Sequence, residues 1–169
     1  MHYILECPPI TTEANEALVE IQNTFTVAGI RLWNNGMPLD FEKKKNIPIP
    51  IEMDYDVFQD YSGDPPEVED LGIPIMSERL KNVFDKSNVQ NIEYFPAALR
   101  NSGTNEVFWY YAFNITGLVS RTEITALENT CANASKAMIE SRIQAHRLLF
   151  RLQGSYEIIV HDFIKTAIE

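Results

Sequence analysis

The chain has 169 residues, 45% of them hydrophobic and 22% charged, and its 24 Asp plus Glu against 14 Lys plus Arg leave a formal net charge of −10. A chain of this size buries about 70% of the surface its unfolded form exposes, so a core needs no disulfides or metal and a single domain is expected. The negative balance argues against nucleic acid or an anionic membrane as partner, because both repel the chain at neutral pH, and favours a basic protein.

Tyr3, Ile4 and Leu5 predict a strand over 2–7, stopped by Pro8 and Pro9. Thr11 or Thr12 as cap, Glu13 and Glu16 in the first turn, and Ala14, Ala17, Leu18, Ile21 and Phe25 at helical spacing predict a helix over 12–28 that Gly29 ends. Asn34-Asn35-Gly36 reads as a tight turn, and Ile alternating with Pro over 47–51 reads as an extended connector. Residues 52–70 then carry eight acidic side chains (Glu52, Asp54, Asp56, Asp60, Asp64, Glu67, Glu69, Asp70) and no basic one, broken by Gly63 and Pro65-Pro66; they are expected to form an acidic loop.

A short strand over 73–76 leads into Ser77 as N-cap, with Leu80, Val83 and Phe84 on one face of a helix to about Lys86. Strands follow at 91–95 and 107–115, the second dense in aromatic residues and expected to be largely buried. Ile124, Leu127, Cys131, Ala134 and Met138 predict a helix over 122–140, a Gly154 turn joins strands 148–152 and 156–160, and Asp162 caps a final helix. Residues 75–84 echo 159–168 without gaps, which suggests two similar strand-to-helix units but no repeat array. The expected class is α+β or mixed α/β, a single domain with one mixed β-sheet and helices packed on it.

No apolar run approaches the roughly 18 residues of a membrane helix. Residues 1–6 show no basic or long apolar leader pattern, and Cys7 and Cys131 are too few for a disulfide framework, so no secretory signal and cytoplasmic residence with reduced thiols are expected. His2, His146 and His161 lack metal-ligand spacing, and no nucleophile elbow or phosphate-cradling glycine loop occurs, so no metal, cofactor or catalytic residue is assigned. Asp54, Asp56 and Asp60 begin like a calcium loop, but Gln59 and Pro65 stand where that loop needs Gly and Glu. Lys43-Lys44-Lys45 is too short for a nucleic-acid patch, and Lys136, Arg142, Arg147 and Arg151 read as a solvated face or as partners for the chain's own carboxylates.

The acidic segment reads better as an electrostatic surface that steers a basic partner. Its candidate contact residues are Asp54, Tyr55, Asp56, Phe58, Asp60, Tyr61, Glu67, Glu69 and Asp70, the aromatics as anchors and the carboxylates as steering charges. Two further readings stand beside it: a small enzyme with His161 and Asp162 as acid and base, and an adaptor subunit held by exposed aromatics.

Gly72-Ile73-Pro74-Ile75-Met76-Ser77-Glu78-Arg79-Leu80, Val89 to Pro96, the aromatic strand into Asn114-Ile115, and Leu149 to Gly154 before Ile158-Ile159-Val160 carry a resemblance to a known family. The chain resembles the bacterial immunity proteins of polymorphic toxin systems, immunity family eleven; Tyr3-Ile4-Leu5-Glu6 and Gly36-Met37-Pro38-Leu39 look like that family's start. It departs from the family at Gly117 to Arg121, where members carry an Asp-rich segment, and in the helix expected at 12–28, where they have a loop. The resemblance implies a non-enzymatic protein that binds a cognate toxin, commonly a nuclease, and blocks its active site.

Overall fold

A computed structural model describes residues 1–6, 9–22, 27–28, 30, 33–58, 61, 63–70, 72–124, 148–155 and 157–169. In chain order its elements are β1 (His2–Leu5), β2 (Val19–Gln22), α1 (Phe41–Lys44), β3 (Ile51–Val57), β4 (Val68–Glu69), β5 (Ile75–Ser77), α2 (Glu78–Lys86), β6 (Ile92–Asn101), β7 (Val107–Ile115), β8 (Leu118–Val119), β9 (Leu149–Leu152), β10 (Ile158–His161) and α3 (Asp162–Ile168). The fold is mixed α+β. Its strands divide between two sheets, ordered β1-β10-β9-β8 and β2-β3-β6-β7-β5-β4, where the sequence had suggested one.

Two cores explain the division. On one face of the six-stranded sheet Ile51, Met53 and Tyr55 of β3 alternate inward beside Leu99, Tyr110 and Ala112, and Trp33, Leu39 and Ile47 from the preceding segment close over them. On the opposite face Phe113 and Ile115 pack against Leu80 and Phe84 of α2, Ile164 of α3, and Leu149, Ile158 and Val160 of the four-stranded sheet. Each such side chain contributes roughly 1.5–3 kcal/mol when fully buried. Because β6 and β7 outrun this second core, Ala98, Arg100, Val107 and Trp109 at their paired ends carry no second layer on that face among the described residues.

The two strand-to-helix units are both present. Ser77 Oγ accepts from the Leu80 N–H at 3.2 Å to cap α2. At the other, His161 is the N-cap in place of the expected Asp162: its Nδ1 accepts from the Phe163 N–H at 3.2 Å, and Asp162 is the first helical residue, where its charge suits the helix dipole. Gly36 sits at φ +73° in the expected turn, and a Cβ there would lie 2.5 Å from Leu118.

Two expected elements change type. The helix expected over 12–28 is replaced by a turn, in which Asn15 at φ 63° lets its N–H reach the Thr12 carbonyl at 2.9 Å, and by β2. Period-two alternation wins there: Val19 and Ile21 face the core and Glu20 and Gln22 face out, while 23–26 lie outside the described residues. The acidic segment expected as a loop starts as β3, an interior strand paired antiparallel to β2 and parallel to β6, because its carboxylates alternate with Ile51, Met53 and Tyr55. Of the helix expected over 122–140, residues 122–124 are helical and the rest lie outside the described residues.

Candidate functional site

Alternation along β3 sends Glu52, Asp54 and Asp56 to the face opposite Tyr55, spaced about 6.6–6.8 Å apart along the strand. Register sets their neighbours. Asp56 stands beside Glu20, Asp54 lies between Gln22 and Arg100, and Arg100 lies beside Val107. In the next row Glu52 stands beside Ala98, which stands beside Trp109.

The result is an open half-face of sheet. Trp109 is 64% exposed and Val107 38%, in a strand whose remaining large side chains are buried or, at Phe108 and Tyr111, half-buried. A shallow groove of about 280 Å³ runs between Glu52, Asp54, Arg100 and Val107, floored by Ala98. Among the described residues none of Glu20, Glu52, Asp54 and Asp56 is held by an ion pair, so four carboxylates face solvent against one guanidinium. Lys81 closes the covered end, 4.9 Å from the Tyr94 ring and 5.1 Å from the Tyr111 ring while paired to Asp85.

The residues predicted to bind a partner separate into distinct environments. Asp54 and Asp56 lie on the open face, and Phe58, next in the same alternation, is 41% exposed. Tyr55 is fully buried, edge-on to Phe108, and its hydroxyl donates to the Gly63 carbonyl at 3.4 Å; burial first, then Tyr61, Asp64 and Glu106, pushes its pKa up to about 12. It anchors the acidic segment to the core. Tyr61 donates to the Asp64 carbonyl at 3.2 Å, and Asp60 lies outside the described residues.

The three remaining carboxylates turn away from the open face. Glu67 accepts from Ser77 Oγ and, at 2.8 Å, from Arg79 Nε; burial would raise its pKa, but these bonds outweigh it and hold the carboxyl below its ordinary value. Glu69 is half-buried on the edge strand β4. Asp70 holds both guanidinium nitrogens of the fully buried Arg151, at 2.5 and 2.7 Å.

Trp109 escaped the sequence reading, which expected the aromatic strand to be largely buried and singled out no exposed residue in it. Alternation puts Val107, Trp109 and Tyr111 on one face, but nothing in the strand itself shows that the second core stops short of Trp109.

His161 and Asp162 form no acid–base pair. Burial, then the Met1 amino group and His2, push the His161 pKa down to about 4, and its Nδ1 lone pair is engaged in the helix cap. The Tyr3 hydroxyl donates to Met1 Sδ at 3.1 Å, and the neighbouring Asp162 carboxylate is the first cause of that phenol's raised pKa. Among the described residues no group of three or more His, Cys, Asp or Glu is placed to hold a metal ion, and no helix is long and apolar enough to cross a membrane.

Residues 50–169 match the model of an immunity protein family, Imm11, a span that contains β3, β6 and β7 and therefore most of the open face. The chain belongs to the Imm11 immunity protein family. The match leaves out Tyr3 to Glu6 and Gly36 to Leu39, and also Glu20 and Gln22 of β2. No curated protein matches the chain.

Proposed function

We propose that this chain neutralises a cognate bacterial toxin by binding it one to one and covering its active site, with no chemistry of its own. Family membership supports the class, and the carboxylate face of β3 carries the reading of the partner. Glu52, Asp54 and Asp56, joined by Glu20 across the strand pair, concentrate negative potential on a rigid sheet in a chain of net charge −10. Such a surface speeds encounter with a basic protein and repels nucleic acid and anionic membrane. A toxin with a basic groove fits it, and a nuclease is the toxin class that most commonly has one. The cytoplasm, where a nuclease finds its substrate, is the proposed place of action.

Co-expression tests this reading. The product of the neighbouring gene, placed under tight control in a sensitive host, should kill alone and be tolerated with this chain. A toxic neighbour against which the chain gives no protection overturns the reading.

A further inference from the structure

We infer that the open half-face of the six-stranded sheet is the toxin-docking surface, with Trp109 as its anchor and the groove above Ala98 as the seat of a cationic side chain from the toxin. This rests on the immunity reading and adds to it where and how the toxin is held. The fold does not need this indole for its core, since 64% of the residue faces solvent while Tyr110 and Phe113 on the same strand are buried. Indoles are enriched among the few residues that carry most binding energy, because they bury large area with few rotamers to fix. Val107 extends the apolar centre, and Ala98, small enough to leave space between Glu52 and Trp109, opens the groove.

Charge selects the occupant. An arginine or lysine entering that groove meets the Glu52 and Asp54 carboxylates, with Arg100 and Val107 along the rest of its lining, and Trp109, in register with Ala98 on the next strand, stands at its border, where it adds a cation–π contact to the ion pairing. A second copy of the chain is disfavoured, since it would bring its own Glu52, Asp54 and Asp56 against these. The anchoring geometry is an apolar centre with carboxylates along one border, the arrangement in which buried aromatics set the lifetime of a complex and rim charges set its rate of formation. Arg100, the one cation on this face among the described residues, sits in register with Asp54 and Val107 and marks where the toxin must present an acceptor or leave room.

The test measures association and dissociation of the purified neighbouring-gene toxin with the full chain and four variants. Trp109→Ala should weaken affinity by about 30-fold or more, mainly through faster dissociation. Ala98→Leu, which fills the groove, should also raise the dissociation rate. The triple variant Glu52→Gln, Asp54→Asn, Asp56→Asn should slow association about tenfold at low salt and flatten its salt dependence. Phe163→Ala, which removes another exposed apolar side chain, on α3, should change nothing. In fluorotryptophan-labelled protein, which has two indoles, the Trp109 resonance should shift on binding and that of the buried Trp33 should not. Wild-type binding together with Trp109→Ala and Ala98→Leu variants that keep wild-type dissociation rates overturns the docking surface and leaves the immunity reading standing. Failure of the wild-type chain to bind a toxin that kills overturns both.

Discussion

Two regions of this molecule use carboxylates in opposite ways. Beneath the sheets, Asp70 clasps the buried Arg151 guanidinium, and Glu93 accepts from Lys44 Nζ, from Asn114 Nδ2 at 2.9 Å and from the Leu39 N–H at 3.3 Å. On the open face Glu20, Glu52, Asp54 and Asp56 stand side by side in strands. The first set holds segments together, and the second set strains the sheet by mutual repulsion. Identical chemistry thus serves cohesion where each charge is bonded to a partner and is proposed to serve recognition where carboxylates outnumber cations, and substitution should separate the two.

The largest effect is expected at Asp70. Asp70→Asn takes the bidentate carboxylate from a guanidinium with no solvent exposure, and should lower stability by about 3 kcal/mol in urea unfolding. Adding Arg151→Met, which replaces the buried cation with an apolar chain, should recover part of that loss. A double variant less stable than Asp70→Asn alone would mean that Arg151 acts chiefly through contacts other than Asp70.

Glu93→Gln comes next, at about 1–3 kcal/mol, because the carboxylate ties the Leu39 and Lys44 segment to Asn114, itself fully buried and bonded to the Met37 carbonyl at 2.9 Å. Burial opposes ionisation of Glu93, but the bonds from Lys44, Asn114 and Leu39 outweigh it and hold its pKa below the ordinary 4.5. The folded state therefore favours the ionised form. Its stabilisation is present above the unfolded value and is lost as pH falls through the depressed one. The wild-type chain should show that loss in acid, and Glu93→Gln should show a smaller one, the remainder coming from Glu67, whose pKa is also depressed.

A loss that begins at higher pH belongs to His161. Its folded pKa lies near 4 against an ordinary 6.5, so the unfolded chain binds the proton first and stability should fall as pH drops from about 6.5 to about 4. His161→Asn keeps a capping acceptor and should flatten that interval in a pH series of melting temperatures.

The class of fold and both strand-to-helix units were legible because Ser77, Leu80 and Phe84, and later Ile164, write cap and helix face into a short window, although the second cap falls at His161, one residue before the expected Asp162. The open face was half legible. Residues 52–56 alternate acid with Met or Tyr, a strand signal that the density of charge and the flanking prolines obscured. Its partner Glu20 was hidden in a segment whose Ala14, Ala17, Leu18 and Ile21 also fit a helix, and only tertiary pairing with β3 decides between the two periods. The fate of Asp70 and Glu67 depends on side chains 81 and 12 residues away, Arg151 and Arg79, a separation over which no local pattern reports.

The smallest stability effect gives the sharpest test of the contrast, because its sign is reversed. Asp56 stands directly opposite Glu20 in an antiparallel pair, and Asp54 follows on the same face, so the native sheet carries like charges at neighbouring positions. Such pairs destabilise by about 0.2–1 kcal/mol, and Asp56→Asn should therefore raise the unfolding midpoint in urea while slowing toxin association. Raising salt should shrink the stability gain, since exposed charges are screened beyond about 8–10 Å at physiological ionic strength and less far as salt increases. Loss of stability on this substitution would show that Asp56 holds the sheet together, placing it with Asp70 and Glu93 and removing it from the recognition surface.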